Sequence, residues 1–168
     1  AVDRVRKTRY ADRDDVDRCL YFHTNSFPGV DDELEHFSEV LGLLGDFRTR
    51  GTRTLHREHG IADDDAFQKA IHRLAVLSVV RDYTLDFNDN SYELDVGMES
   101  RQAVAQALAK YVASYSQDRA NMMLPLFLED AKRDDLDDTA FVLLMARHYL
   151  EFLYEVVETG RRAAIFEM

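Results

Sequence analysis

The fold turns on one stretch: Val80-Arg81-Asp82-Tyr83-Thr84-Leu85-Asp86-Phe87, then Asn88-Asp89-Asn90-Ser91, then Tyr92-Glu93-Leu94-Asp95-Val96. Tyr83, Leu85 and Phe87 alternate with Thr84, Asp86 and Asn88, and Tyr92, Leu94 and Val96 alternate with Glu93 and Asp95. A period of two puts every second side chain on one face of a strand. Asn and Asp tolerate the positive φ of a tight turn, so residues 80–97 are expected to form a β-hairpin. One of its faces is apolar and should lie on neighbouring helices; the other is acidic and faces water.

Upstream, the period changes to three and four. Phe67, Ile71, Leu74, Ala75 and Val79 mark a helix over 63–80, capped by Asp63-Asp64-Asp65. Leu34, Phe37, Leu41 and Leu44 mark another over 31–44, with acids in its first turn and Gly45 at its end. Between them, residues 52–59 are read as a short helix. Val16, Cys19, Leu20 and His23 suggest a further helix over 10–24, broken by Asn25-Ser26-Phe27-Pro28-Gly29.

Downstream the pattern is helical again. Val104, Leu108, Tyr111, Val112 and Tyr115 form a stripe within 99–116, and a shorter helix over 118–132 contains Pro125. Asp134-Asp135-Leu136-Asp137-Asp138 reads as a turn and cap. A long helix then runs from Thr139 until Gly160 interrupts it. The Met and aromatic stripes of these helices are expected to be core.

Three helices (31–44, 52–59 and 63–80) followed by a hairpin is the order of a winged helix. The expected fold is therefore mainly α: a winged helix-turn-helix with a two-stranded hairpin wing, followed by a small helical bundle. Its parts are an N-terminal helical segment at 1–29, a winged-helix domain at 30–98 and a bundle at 99–168.

Composition agrees with a folded domain. The chain has 168 residues, 46% hydrophobic and 32% charged, with seven Gly and two Pro. That balance excludes a disordered, collagen-like or disulfide-built protein. The single Cys19 cannot close an internal disulfide, which places the chain in a reducing cytoplasm. No apolar run reaches membrane-spanning length, so no membrane partner is expected. The chain opens at Ala1-Val2 without Met, and its last helical pattern still runs at its end. An excerpt from a longer polypeptide and a processed small protein both fit.

Charge constrains function most. Lys and Arg number 21 against 32 acids, for a net charge of −11. Such a chain repels a phosphate backbone unless its cations gather on one face. Arg48, Arg50, Arg53 and Arg57 form a run with no acid inside it, and Lys69, His72 and Arg73 lie on the helix that a winged helix sends into the major groove. These seven are the expected DNA-contacting residues; ordinary solvated charge is the other reading of them. Asp63-Asp64-Asp65 opposes phosphate at that helix's leading end.

Catalytic and cofactor chemistry find no support. There is no Gly-x-Ser-x-Gly, Gly-x-x-x-x-Gly-Lys or Gly-x-Gly-x-x-Gly, and no residue order singles out a catalytic triad. Cys19, His23, His56 and His59 have the donor types of a zinc site, but His56-Arg57-Glu58-His59 is not the His-Glu-x-x-His pattern. No catalytic residue, metal or cofactor is therefore assigned to this chain.

The stretch Ala66–Phe87 resembles a segment of large bacterial RecQ-like ATP-dependent DNA helicases, in which a helix leads through an Asp-Tyr-Thr triplet, here Asp82-Tyr83-Thr84, into a hairpin. The ending Phe152–Met168, with Arg161-Arg162, resembles a terminal helix of the same proteins. The resemblance covers roughly residues 62–168, and 1–61 only by order of elements. It implies a region C-terminal to the two motor lobes: a winged helix plus a helical accessory bundle. The ATP-hydrolysing residues would then lie outside this chain.

The partners so implied are duplex or fork DNA and the motor lobes of the parent chain. The four-cysteine zinc segment of those enzymes is absent here, and the hairpin tip carries Asn88, Asp89 and Asn90 in place of an aromatic wedge. Two alternatives stand beside this expectation. One is a stand-alone winged-helix regulator that dimerises through its last helix. The other is an acidic module that binds a protein partner.

Overall fold

The computed structural model describes residues 4–8, 29–56, 64–86 and 88–166, with backbone alone at 4–8, 64 and 157–166. In chain order the elements are β1 (Arg4–Thr8), α1 (Val30–Leu43), β2 (Gly51–His56), α2 (Asp64–Val76), β3 (Val80–Asp86), β4 (Ser91–Val96), α3 (Arg101–Ala113), α4 (Gln117–Ala131) and α5 (Asp138–Phe166). The described chain is mainly helical with one small antiparallel sheet. No helix among the described residues is long and apolar enough to cross a membrane. The expected helix over 10–24 lies outside the described residues.

The sheet forms where period-two alternation meets a partner of matching pattern. β3 and β4 pair antiparallel, with Tyr83 opposite Leu94 and Leu85 opposite Tyr92. Those four side chains are buried, whereas Asp82, Thr84, Asp86, Glu93 and Asp95 are only partly covered. Asn90 takes a positive φ of 52° at the tip, and an Asp86 carboxylate oxygen accepts from the Asn88 and Asp89 amides. The sheet is larger than the expected hairpin, however, with strand order β1-β3-β4-β2. The central pair gains a strand on each side.

β2 corrects the expected helix at 52–59. Thr52 and Thr54 are β-branched and favour extended backbone, and Leu55 is the only large apolar residue of the segment, so no helical stripe exists to bury. Pairing with β4 decides the matter. Leu55 lies opposite Tyr92 and is buried, while Thr52 and Thr54 face solvent.

α2 ends four residues before the expected Val80. Val79 donates its amide to the Leu74 carbonyl and Ser78 to that of Ala75, the paired bonds of a Schellman stop, with Ser78 at φ 63° where glycine is usual. The chain can then turn directly into β3. At the far end, α5 runs through Gly160 without the expected interruption.

In the bundle, Ser100 and Ser116 cap α3 and α4, their hydroxyls accepting from the Ala103 and Arg119 amides at 3.0 and 3.2 Å. The Asp137 carboxylate accepts from Ala140 at 2.7 Å at the start of α5. α4 rests mainly on α3, and α5 crosses both α3 and α1. One continuous apolar cluster joins Phe37 and Leu41 of α1, Leu74 of α2 and Leu94 of β4 to Leu108, Phe141 and Leu153. The core therefore runs unbroken across residues 98–99. Met122 and Leu126 of α4 correct the expectation that the Met-rich stripe is core: they are 73% and 64% exposed.

Candidate nucleic-acid interface

Arg48 and Arg50 sit on the turn between α1 and β2, and Arg53 sits within β2; Arg57 lies outside the described residues. The turn is built by short-range bonds. Gly45 takes φ 68° at the end of α1, and Asp46 accepts from the Arg48 amide at 3.1 Å and the Thr49 hydroxyl at 2.6 Å. Those bonds, the Thr49 hydroxyl's first, hold the Asp46 carboxyl below its ordinary value.

The three arginines then diverge in role. Arg53 stands opposite Leu94 in the sheet register, so its stem leaves the inner side. Its Nε donates to the Leu44 carbonyl at 3.0 Å, and its Nη2 to the carbonyls of Asp46 and Thr49 at 3.0 and 3.2 Å. It closes the C-terminal end of α1 and holds the turn. Arg48 donates from Nη1 to Asp138 at 2.9 Å. Arg50 stands 3.7 Å from Asp95, and its side chain is 68% exposed.

Asp138 is a junction. Arg101 donates to it from Nε at 2.9 Å, and also donates to the Arg133 and Leu136 carbonyls at 2.9 and 2.6 Å. Burial pushes the Asp138 carboxyl up, but the Arg101 and Arg48 guanidiniums outweigh it and hold it below its ordinary value. Arg48 thus ties the turn to the first residue of α5.

Lys69, His72 and Arg73 go inward. They are 4%, 7% and 2% exposed, so as surface contacts to DNA they are corrected by the structure. A phosphate cannot reach a side chain already enclosed by protein. Burial first, and the neighbouring Arg73 charge second, hold His72 down to about 3, so its imidazole is neutral at pH 7. Arg73 meets Glu33 of α1 at 3.3 Å and stands 5.5 Å over the Tyr149 ring of α5. Tyr154 of α5 donates a short hydrogen bond to the other Glu33 oxygen and accepts from the Gly29 amide at 3.1 Å. Burial and the Glu33 carboxylate raise the Tyr154 hydroxyl well above its ordinary value.

This Arg73–Glu33–Tyr154 network clamps α1, α2 and α5 together, and neither Glu33 nor Tyr154 is among the residues expected from the sequence. One signal was available: Glu33 precedes Phe37 by four residues and so lies on the apolar stripe of α1. A carboxylate there needs a buried partner. Of the zinc-type residues, His56 is on β2, and Cys19, His23 and His59 lie outside the described residues; among those described, no three His, Cys, Asp or Glu side chains gather to hold a metal.

The described cationic surface of the expected interface is thus Arg48 and Arg50, one of them committed to Asp138. Comparison with known protein families, curated proteins and solved structures returns no match.

Proposed function

We propose that this chain is a non-catalytic accessory region of an ATP-dependent RecQ-like DNA helicase: a winged-helix head at 30–98 and a helical bundle, which docks on the motor lobes. The observation that carries this reading is the pairing of β2, which follows α1, with β4, the second strand after α2, giving the order β3-β4-β2. A winged-helix head sets the strand after its first helix against the second strand of its hairpin, and the β2–β4 pairing supports the reading to that extent. The stretch Ala66–Phe87, on which the resemblance rests, runs from α2 through β3, and the second stretch begins at Phe152 within α5.

Docking is favoured over groove reading on two grounds. The side chains that α2 would offer a groove are inside the protein. The net charge of −11 repels phosphate and attracts a basic protein surface. Duplex contact in this reading is confined to Arg48, Arg50 and the undescribed Arg57.

Two measurements test it. The reading frame upstream of Ala1 is expected to encode helicase motor motifs; an in-frame stop directly upstream defeats the proposal. Duplex titrations between 50 and 200 mM salt are expected to show weak binding whose log–log slope flattens by no more than about 1.8 in Arg48→Ala/Arg50→Ala, at about 0.9 per phosphate contact. A sedimenting dimer with sequence-preferring DNA binding would instead establish the stand-alone regulator.

A further inference from the structure

We infer that the outward stripe of α4 is a docking surface for a basic amphipathic helix of another protein. The inference rests on the surface of α4 alone and does not require the helicase reading.

Met122 and Leu126 stand one turn apart at 73% and 64% exposure, and the next large apolar side chain among the described residues, Leu43, is 36% exposed. They occupy one stripe with Asp118, Asn121, Pro125 and Glu129, all exposed. α4 gives its opposite side, through Ala120, Phe127 and Ala131, to the core. Two long apolar side chains at i and i+4 present a flat apolar step of the kind that a partner helix covers with its own i, i+3 or i+4 anchors. Methionine suits the task, because its unbranched thioether adapts to the partner's shape.

Pro125 strengthens the assignment. It lies within the helix, where proline has no amide to donate to the carbonyl four residues earlier, that of Asn121. The stripe thus carries an acceptor lacking its usual helical donor, on the same turn as its two apolar anchors.

Charge selects the occupant. Asp118 and Glu129 flank the apolar step, about 16 Å apart at 1.5 Å per residue. Among the described residues, Glu129 pairs with Lys132 at 3.8 Å, an exposed pair weak enough to exchange. Carboxylates at both ends of an apolar step call for cationic donors, so the complement is a helix with Leu-type anchors and Arg or Lys about three turns apart. A second copy of this chain would bring −11 against −11, and nucleic acid or anionic lipid would meet the same repulsion.

The test uses a synthetic 18-residue amphipathic helix with two leucines on one face flanked by arginines, and a counterpart with glutamates in place of the arginines. Met122→Gln/Leu126→Gln alters only exposed side chains and keeps the charge. The arginine peptide is expected to bind the wild-type chain at 50 mM salt, with amide shifts confined to 117–132. Binding should fall at least tenfold in Met122→Gln/Leu126→Gln and severalfold in Asp118→Lys/Glu129→Lys, and the glutamate peptide should not bind. Equal binding by the Gln variant, or shifts elsewhere, overturns the inference. So does concentration-dependent dimerisation that the Gln variant abolishes, which would make the stripe a contact between copies.

Discussion

Two groups of cations that look alike in sequence end on opposite sides of the protein surface. Arg48 and Arg50 occupy a turn and keep their side chains 47% and 68% exposed, even where they pair with Asp138 and Asp95. Lys69, His72 and Arg73 occupy α2, which packs against α1, β3 and α3. The difference teaches that a basic side chain on an amphipathic helix is as readily a core residue as a surface one, provided that an acid such as Glu33 waits opposite. It also shifts the functional reading from groove contact to docking.

The comparison breaks most directly at Arg73. Removing one partner of a buried pair strands the other charge, so Arg73→Ala is expected to cost about 3–5 kcal/mol in urea unfolding. The double replacement Arg73→Met/Glu33→Leu should recover most of that loss, because neither charge is then stranded. A cost below about 1 kcal/mol for Arg73→Ala would mean that the inner group is not truly inside.

pH sharpens it next. The unfolded chain protonates His72 near 6.5, whereas the folded chain resists until about 3. The unfolded state therefore binds the extra proton between those values, and stability falls as pH drops below 6.5. The slope approaches about 1.4 kcal/mol per pH unit well below 6.5, and the loss between pH 6.5 and 5 comes to about 1.6 kcal/mol. His72→Gln should flatten this part of the stability–pH curve while leaving the acid limb below pH 4 in place.

The outer group divides more finely. Arg53→Ala removes three bonds to carbonyls at the end of α1 and is expected to cost about 1.5–2 kcal/mol. Arg50→Ala, an exposed side chain with one long ion pair, should stay within about 0.5 kcal/mol. Equal effects for Arg53 and Arg50 would erase the distinction between a structural arginine and an exposed one.

Much of this architecture was legible in the residues. The alternation of Tyr83-Leu85 with Tyr92-Leu94 located β3 and β4, and Phe37-Leu41-Leu44 located the buried stripe of α1, because short-range periodicity is a property of the chain itself. The strand at Gly51–His56 was not legible: its six residues hold one buried apolar side chain, and only the waiting edge of β4 makes them extended. The candidate interface was legible as a list of cations and illegible as a surface. Which of them reach water depends on Glu33, Asp138 and Tyr154, which are distant in sequence.

By itself, then, the sequence determined a mainly helical chain with a central antiparallel pair, an acidic exterior and no recognisable catalytic signature. Tertiary structure decided the strand beside that pair, the burial of Lys69, His72 and Arg73, and the exposure of Met122 and Leu126. The reason is physical. Periodicity states which residues share a face, but whether that face meets water or another element is settled only by what folds against it.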